Sequence, residues 1–179
     1  MDIPAQILSI FGMIFNFISF QQKNYKKAVL CQLLASSTFC ISYFMLGAMA
    51  GGILNIVGSL RALLFVFKEK TKADHIGWLI FFSALFVLSY PLSFTVFDKE
   101  PTIKNLIIEI LPVIAMIVTT VSIRKGSTRT IRYLGLISSP LWLTYNICCI
   151  SIGAIASEVL NLGSIIIGIV RFDKKKNEK

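Results

Sequence analysis

Charged residues are scarce in this chain. Only 15% of its 179 residues are Asp, Glu, Lys or Arg, while 55% are hydrophobic; soluble domains carry roughly 25% charged residues. A soluble protein of this size cannot bury so much apolar surface, and the apolar runs approach or reach the ~20 residues that a helix needs to cross a bilayer. These runs are continuous rather than alternating, which argues against a barrel of strands. The composition therefore predicts an all-α integral membrane protein.

Groups that usually carry catalysis or bind metals are also few. The chain has a single histidine, His75, no HExxH or GxSxG motif, and no aspartate within a predicted span. Its four cysteines form no CxxC pair, and they are interpreted as small apolar residues of the helices: Cys31, Cys40, Cys148 and Cys149. We expect no metal site, no cofactor and no enzymatic activity.

Hydropathy predicts seven membrane spans separated by short polar or glycine-containing breaks. A retained first helix opens the chain, because no basic residue precedes the apolar run as it would in a secretory signal. Tight turns are expected at 47–52 and 152–157. The predicted spans are 3–20, 28–48, 51–67, 76–97, 105–123, 130–150 and 155–171.

The positions of the basic residues predict which way the chain faces. With seven spans, one side receives only two basic residues, Lys99 and Lys104, and the other receives fifteen, with Arg61 left inside a span. Basic loops remain cytoplasmic, so the N-terminus is expected outside and the C-terminus inside. The same pattern argues against a nucleic-acid partner, whereas the basic tail is interpreted as a stop-transfer anchor, with lipid binding as the alternative.

Three segments recur along the chain at nearly constant offset. Residues 6–14 match 109–117, residues 34–43 match 136–145, and the pair Leu54–Asn55 matches Leu160–Asn161. Each match is weak alone, but their order predicts two copies of a three-helix unit. Because three is odd, the copies share an orientation only if one further helix lies between them.

The predicted architecture is therefore a 3+1+3 parallel repeat of seven transmembrane helices, in which substrate sites lie near mid-membrane between the units. The chain divides into a first triple-helix bundle (1–70), a linker helix with its loops (71–104), a second triple-helix bundle (105–172) and a basic cytoplasmic tail (173–179).

Polar side chains inside the apolar spans are the candidate site. An unpaired amide or hydroxyl is costly against lipid, so these groups must face protein or a water-lined cavity. Hydrogen bonds between helices are one explanation, and it is preferred for Ser36, Ser37, Ser138 and Ser139. A central pocket with aromatic walls is the other, and it is preferred for the two repeat-related asparagines. The predicted substrate-binding residues are Asn55, Asn161, Trp142, Tyr145, Asn146 and Tyr43.

Two charges and two prolines inside the spans are predicted to act in gating or coupling. Intramembrane charges are functional by default, which singles out Arg61 and Glu109. Glu109 lies too near the outer edge to pair with Arg61, and with Glu158 it either flanks an outer entrance or is simply hydrated. Pro112 and Pro140 each free a carbonyl, and they are either hinges or static bends.

Several segments of the chain resemble the YgjV-type family of bacterial inner-membrane proteins, which is grouped with the SWEET and PQ-loop proteins: EILPVIAMIVTT, WLTYN, SIGAIASE, RF and GGILNIVGSLRALLF. The resemblance implies the 3+1+3 fold and a location in the bacterial cytoplasmic membrane. In the wider SWEET group, third-helix asparagines and a second-helix aromatic line the sugar site, which corresponds to Asn55, Asn161 and Trp142 here. The chain departs from that group at Cys40, which replaces the first aromatic, and in having no Pro-Gln pair.

Three classes of function remain open at this point. The first is a transporter or facilitator of a small polar solute, sugar-like or nucleoside-like, working by alternating access. The second is a non-transporting membrane adaptor or scaffold with the same fold, and the third, the least favoured, is an intramembrane enzyme. The expected partners are that solute and the lipid bilayer, with a homo-oligomer possible.

Overall fold

The computed structural model describes residues 3–45, 49–96, 100–148 and 152–174, and within these ranges every regular element is helical. The all-α prediction is confirmed. Cys149, Lys99, part of the 47–52 segment and the tail beyond Lys174 lie outside the described residues. The element bounds are Ile3–Phe20 (α1), Tyr25–Met45 (α2), Met49–Val66 (α3), Lys68–Thr71 (α4), Ile76–Thr95 (α5), Ile103–Arg124 (α6), Thr128–Cys148 (α7), Ile152–Gly168 (α8) and the π-helical Ile169–Lys174.

Within the described ranges, five helices are long and apolar enough to cross a membrane. They are α1, α2, α5, α6 and the stretch Ala154–Asp173, which joins α8 to the π-helical turn. Helix α3 is apolar over the shorter range Gly51–Val66. Helix α7 is not among them, because it carries Arg129, Arg132 and a run of polar residues from 138 to 146. The prediction of a multi-pass membrane protein is supported by these helices.

The two predicted turns extend too far into the helices that follow them. Gly51 and Gly52 belong to α3, and all of 152–157 belongs to α8. Glycine there serves packing rather than chain reversal: a Cβ added at Gly51 would lie 3.1 Å from the Tyr43 ring, and one at Gly52 only 2.9 Å from the Phe44 ring. Small residues let membrane helices approach closely, so the glycines allow α2 and α3 to pack without a gap.

The long helices pack as two groups of three. Helix α2 lies against both α1 and α3, and α7 lies against both α6 and α8. The two groups meet where α1 packs on α8, with smaller contacts between α3 and α6 and between α1 and α7, while α5 lies against α6 and α3. The most deeply buried apolar side chains lie on these contacting faces, among them Phe65, Phe86, Ile123 and Ile165.

Large apolar side chains also cover the outside of the bundle. Ile7, Phe11, Ile80, Ile107 and Ile166 are all about half exposed or more. In water such a surface would drive aggregation, whereas in a bilayer it faces acyl chains and only the backbone and the polar side chains need internal partners.

A polar interface joins the two helix groups at the end of the bundle where α1 and α6 finish and α2 and α7 begin, here called the basic end. At its centre the Arg132 guanidinium donates from Nε and Nη2 to the two carboxylate oxygens of Asp173, at 2.8 and 2.7 Å. Its Nη1 donates to the carbonyls of Phe20 and Gln22, at 3.3 and 3.2 Å. Because these carbonyls lie where α1 ends and have no helical partner, a cation there satisfies both hydrogen bonding and the helix dipole.

The end of α6 is held in the same way by the first group. Lys68 donates from Nζ to the carbonyl of Arg124 at 2.7 Å, and the Tyr25 hydroxyl donates to the carbonyl of Ile123 at 2.8 Å. Each group of three therefore caps the first helix of the other, which closes this end of the bundle.

Candidate functional site

A polar cavity lies in the middle of the bundle, between the two groups of three helices. Its volume is about 110 Å³, and its walls come from α1, α2, α3, α6, α7 and α8. A water takes up about 30 Å³ in the liquid, so the space holds about three or four waters. The lining residues of the described chain are Asn16, Phe20, Gln32, Ala35, Ser36, Phe39, Tyr43, Asn55, Met116, Thr119, Ser138, Ser139, Trp142, Asn146, Ala154, Ser157, Glu158 and Asn161.

Five of the six residues predicted to bind substrate line this cavity: Asn55, Asn161, Trp142, Asn146 and Tyr43. Tyr145 is not among the lining residues; its ring packs edge-on against Trp142, with 5.9 Å between centroids. Tyr145 therefore supports the aromatic wall from behind. That these residues bind a solute stays a prediction.

Positions related by the sequence offsets line the same cavity. Asn16 and Thr119, Ser36 and Ser138, and Asn55 and Asn161 are the related pairs, and all six line it. Three serines that were interpreted as helix contacts, Ser36, Ser138 and Ser139, also line the cavity. Ser139 joins helices as well, because it hydrogen-bonds Glu158 on α8. Ser37 does join helices, with its hydroxyl 3.3 Å from that of Ser59 on α3.

The two repeat-related asparagines have different partners. Asn55 donates from Nδ2 to the carbonyl of Gly51 in its own helix, at 2.9 Å. Asn161 instead hydrogen-bonds the Glu158 side chain, which also receives a hydrogen bond from Ser139. The Asn161 group available for that bond is its Nδ2. Its buried Oδ1 then has no partner.

The sequence interpretation did not include Gln32, Ser157 or Glu158 among the site residues. The i, i+3 spacing of Glu158 and Asn161 could have placed them on one helix face, but the predicted start of the last span left Ser157 in a turn and Glu158 near the membrane edge. Because α8 begins at Ile152, both side chains lie within the helix and reach the cavity. Glu158 is the one charged side chain among the described lining residues.

The residues predicted to act in gating lie around the cavity rather than in it. Arg61 is buried between α3 and α6, where its Nη1 donates to the carbonyl of Met116 and to the Thr120 hydroxyl, each at 3.0 Å. Its guanidinium also lies 5.5 Å from the centre of the Phe86 ring. Arg61 therefore bridges the two groups of helices, with neutral partners in place of the carboxylate considered from sequence.

Glu109 lies in a second, much smaller space of about 10 Å³ between α3, α5 and α6. It is buried and accepts a hydrogen bond from Ser93 at 3.3 Å. Glu109 neither pairs with Arg61 nor lines the central cavity. Because its side chain is buried, it is not a surface residue exposed to bulk water, which was one of the two interpretations made from the sequence. Of the two prolines, Pro112 is buried in α6 and Pro140 is exposed in α7, and both helices continue through them.

The site has the composition of a binding cavity. Among the described residues, no group of three or more His, Cys, Asp and Glu side chains could hold a metal ion. Cys31, Cys40 and Cys148 are free thiols. The cavity offers amides, hydroxyls, aromatic faces and one carboxylate, which is the combination that fixes and orients a small polar molecule.

Comparison with known proteins places the chain in one family. No curated protein and no solved structure matches it. The model of the Imp-YgjV family, described as a bacterial inner membrane protein, matches residues 3–176 and so covers nearly the whole chain. Together with its apolar helices, this match shows that the chain belongs to the YgjV family of bacterial inner membrane proteins.

Proposed function

We propose that this protein is a transporter or facilitator of a small polar solute, which it binds in the central cavity and passes across the membrane by alternating access. The observation that carries the proposal is the cavity itself. It is lined by polar side chains from both groups of helices, within a bundle whose outer surface is apolar. Polar space at the interface between two helical repeats is where transporters of this architecture bind their substrates.

The proposed architecture is the 3+1+3 parallel repeat, related to the SWEET and PQ-loop proteins. Its support is the packing of α1–α3 and α6–α8 as separate groups, with α5 as the remaining long helix, and the repeat-related pairs that share the cavity. In this arrangement α7 is a span despite its polar residues, because those at 138, 139, 142 and 146 face the cavity instead of lipid.

The proposed orientation has the N-terminus outside and the basic end at the cytoplasm. Single cysteines in a cysteine-free background test it, at Thr102 between α5 and α6 and at Lys70 in α4, both of which are exposed. We expect a membrane-impermeant maleimide applied to whole cells to label the cysteine at 102 but not the one at 70. Labelling of both, or of 70 alone, would contradict the orientation.

The size of the cavity bounds the solute. Its volume of about 110 Å³ is smaller than the ~150 Å³ of a cavity that accepts one benzene ring, so as it stands it suits a short-chain solute. A single sugar ring would need the bundle to open further than it does here, and a nucleoside-like solute would need it to open more still. Alternation would bend α6 and α7 at Pro112 and Pro140 and would rearrange the contacts of Arg61 and Glu109 between helices.

Uptake into proteoliposomes tests the proposal directly. We expect the wild-type protein to accelerate the entry of at least one member of a panel of small polar solutes over empty liposomes. The Asn161→Ala variant should lose most of that uptake, because it removes an amide that faces the cavity. Asn105→Ala is the matched control, since Asn105 donates to the carbonyl of Glu100 outside the cavity.

If no solute moves, or if Asn161→Ala transports as well as wild type, the transporter proposal fails and a non-transporting adaptor becomes the better interpretation.

A further inference from the structure

In the described chain, three residues that line the central cavity carry a buried polar atom without a partner, and a fourth carries a carboxyl group without a basic neighbour. Among the described residues, five buried side-chain atoms have no hydrogen-bond partner, and three of them belong to residues that line the cavity: Gln32 Oε1, Ser157 Oγ and Asn161 Oδ1. Gln32, Ser157 and Asn161 are each more than nine-tenths buried. Such atoms are costly in apolar surroundings unless a ligand or water satisfies them.

Glu158 places a carboxyl group beside these residues. In the part of the chain that the structure describes, no lysine or arginine pairs with it, and its partners are the neutral Ser139 and Asn161. An isolated carboxylate inside a membrane protein is expensive and calls for a positive partner. The described lining contains no basic residue that could provide one.

The cavity walls add groups that attract organic cations. Trp142, Phe39 and Tyr43 line the cavity, and the faces of such rings attract ammonium and guanidinium groups. The cavity is also too large for one bare metal ion, because it has room for about three or four waters. An ammonium group with a small polar body would fill it and would bring hydrogen-bond donors to the amide, hydroxyl and carboxyl groups of its walls.

We infer that the solute is a small organic cation carrying a primary ammonium group, which Glu158 binds as counter-charge with help from the polar side chains of Asn161, Ser157 and Gln32. The inference rests on the proposed function only in assigning the solute to the central cavity. It narrows a general small polar solute to amines, such as an amino sugar or a short diamine, and it selects against neutral sugars of the same size.

Tryptophan fluorescence in the purified full-length protein measures binding without requiring transport. The chain has two tryptophans, and Trp78 lies away from the cavity, donating to the carbonyl of Thr71 and stacked on Phe82. In a Trp78→Phe background the emission therefore reports on Trp142. The probes are two matched pairs, glucosamine with glucose and 1,4-diaminobutane with 1,4-butanediol, in which ammonium replaces hydroxyl at one position in the first pair and at two in the second.

We expect the amine of at least one pair to change the emission saturably and to bind about tenfold or more tightly than its hydroxyl partner, as expected for a charge-assisted contact. Glu158→Gln should abolish that preference. Glu69→Gln makes the same change at an exposed position outside the cavity and should preserve it. Glu158→Asp keeps the charge, so it should retain the preference even if Glu158→Gln fails to fold.

Three results would overturn the inference. They are equal binding of both members of each pair, no binding of either amine, and an amine preference that survives Glu158→Gln. So would a Glu158-dependent response to sodium or potassium ions that amines do not compete with, since the site would then be an inorganic cation site. Amine binding without uptake in proteoliposomes would instead contradict the transporter proposal alone. Uptake of neutral sugars that is indifferent to Glu158→Gln would contradict the amine inference alone.

Discussion

The basic end and the central cavity both bury polar side chains between the same two groups of helices, but they treat them in opposite ways. At the basic end the Arg132 guanidinium is matched to the carboxylate of Asp173 and to two carbonyls at the end of α1. In the cavity, Asn161 keeps an unpartnered oxygen and Glu158 has neutral partners only. Paired polar groups fix one packing, whereas a side chain that has an unpaired atom and lines a cavity gains a partner when it turns toward a ligand.

This comparison also separates the two most deeply buried arginines. Arg132 has a carboxylate partner and Arg61 has neutral acceptors with one buried Nε unpartnered. Depth alone, which is what the sequence suggests for an intramembrane charge, therefore does not identify a functional residue. The completeness of the hydrogen-bond partners is the better guide, and the following substitutions test it.

The largest effect is expected from Arg132→Met. It leaves Asp173 as a buried, uncompensated carboxylate and removes the cap from the end of α1, and breaking a buried pair typically costs about 3–5 kcal/mol. Thermal unfolding in detergent measures the loss. Arg129→Met is the matched control, because Arg129 lies three residues earlier in α7 but is exposed; equal loss in both variants would contradict a structural role for the pair.

A smaller loss is expected when both partners are replaced, as in Arg132→Met with Asp173→Leu. Exchanging a buried ion pair for apolar side chains is often nearly neutral, but here the carbonyls of Phe20 and Gln22 still lose their donor. The double variant should regain more than about half of the stability lost by Arg132→Met. If it were no more stable than the single variant, the capping of α1 would account for the effect and the ion pair would not.

In the cavity the expected effect falls on binding rather than on stability. Asn161→Leu should weaken solute binding or uptake about tenfold, equivalent to ~1.4 kcal/mol, while changing the stability of the protein by about 1 kcal/mol or less. Asn55→Leu is the repeat-related comparison. Because the Asn55 amide nitrogen is already bonded to Gly51, its replacement should weaken binding less; equal losses would mean that the two asparagines act alike.

The smallest effect is expected from Arg61→Met. The carbonyl of Met116 also accepts from the Thr120 hydroxyl at 2.7 Å, so removal of the guanidinium leaves neither acceptor without a partner. Replacing a buried cation that has no carboxylate partner should change stability by about 1 kcal/mol or less. A loss as large as that of Arg132→Met, in the same unfolding measurement, would show that Arg61 is a structural cation after all.

Prediction from the sequence was most reliable for the positions of the helices, which follow from the lengths of the continuous hydrophobic runs. The first helix runs from residue 3 to residue 20 as predicted, and the other predicted spans begin or end within about four residues of the observed helices. It was least reliable for glycine-containing breaks, because Gly51 and Gly52 are compatible with a turn and with a closely packed helix. Only the neighbouring rings of Tyr43 and Phe44 decide between them.

The site was predictable in part for a similar reason. Internal repetition pointed to Asn55 and Asn161 and placed both toward a shared axis, where the structure brings them into one cavity. Repetition could not point to Glu158, because at the offset of 106 residues its counterpart is Gly52. A residue that occurs in only one of the two copies cannot be found by comparing them. Glu158, the only acidic or basic lining residue found in the described chain, was therefore recognised from the structure.

The sequence by itself determined that this chain is a bundle of apolar helices, because continuous hydrophobic runs have one stable form in a bilayer, in which the backbone satisfies its own hydrogen bonds. It also determined which helices carry polar groups. Tertiary structure alone decided which of those groups are paired and which face an open space, because pairing depends on distances of a few ångströms between helices that are far apart in sequence.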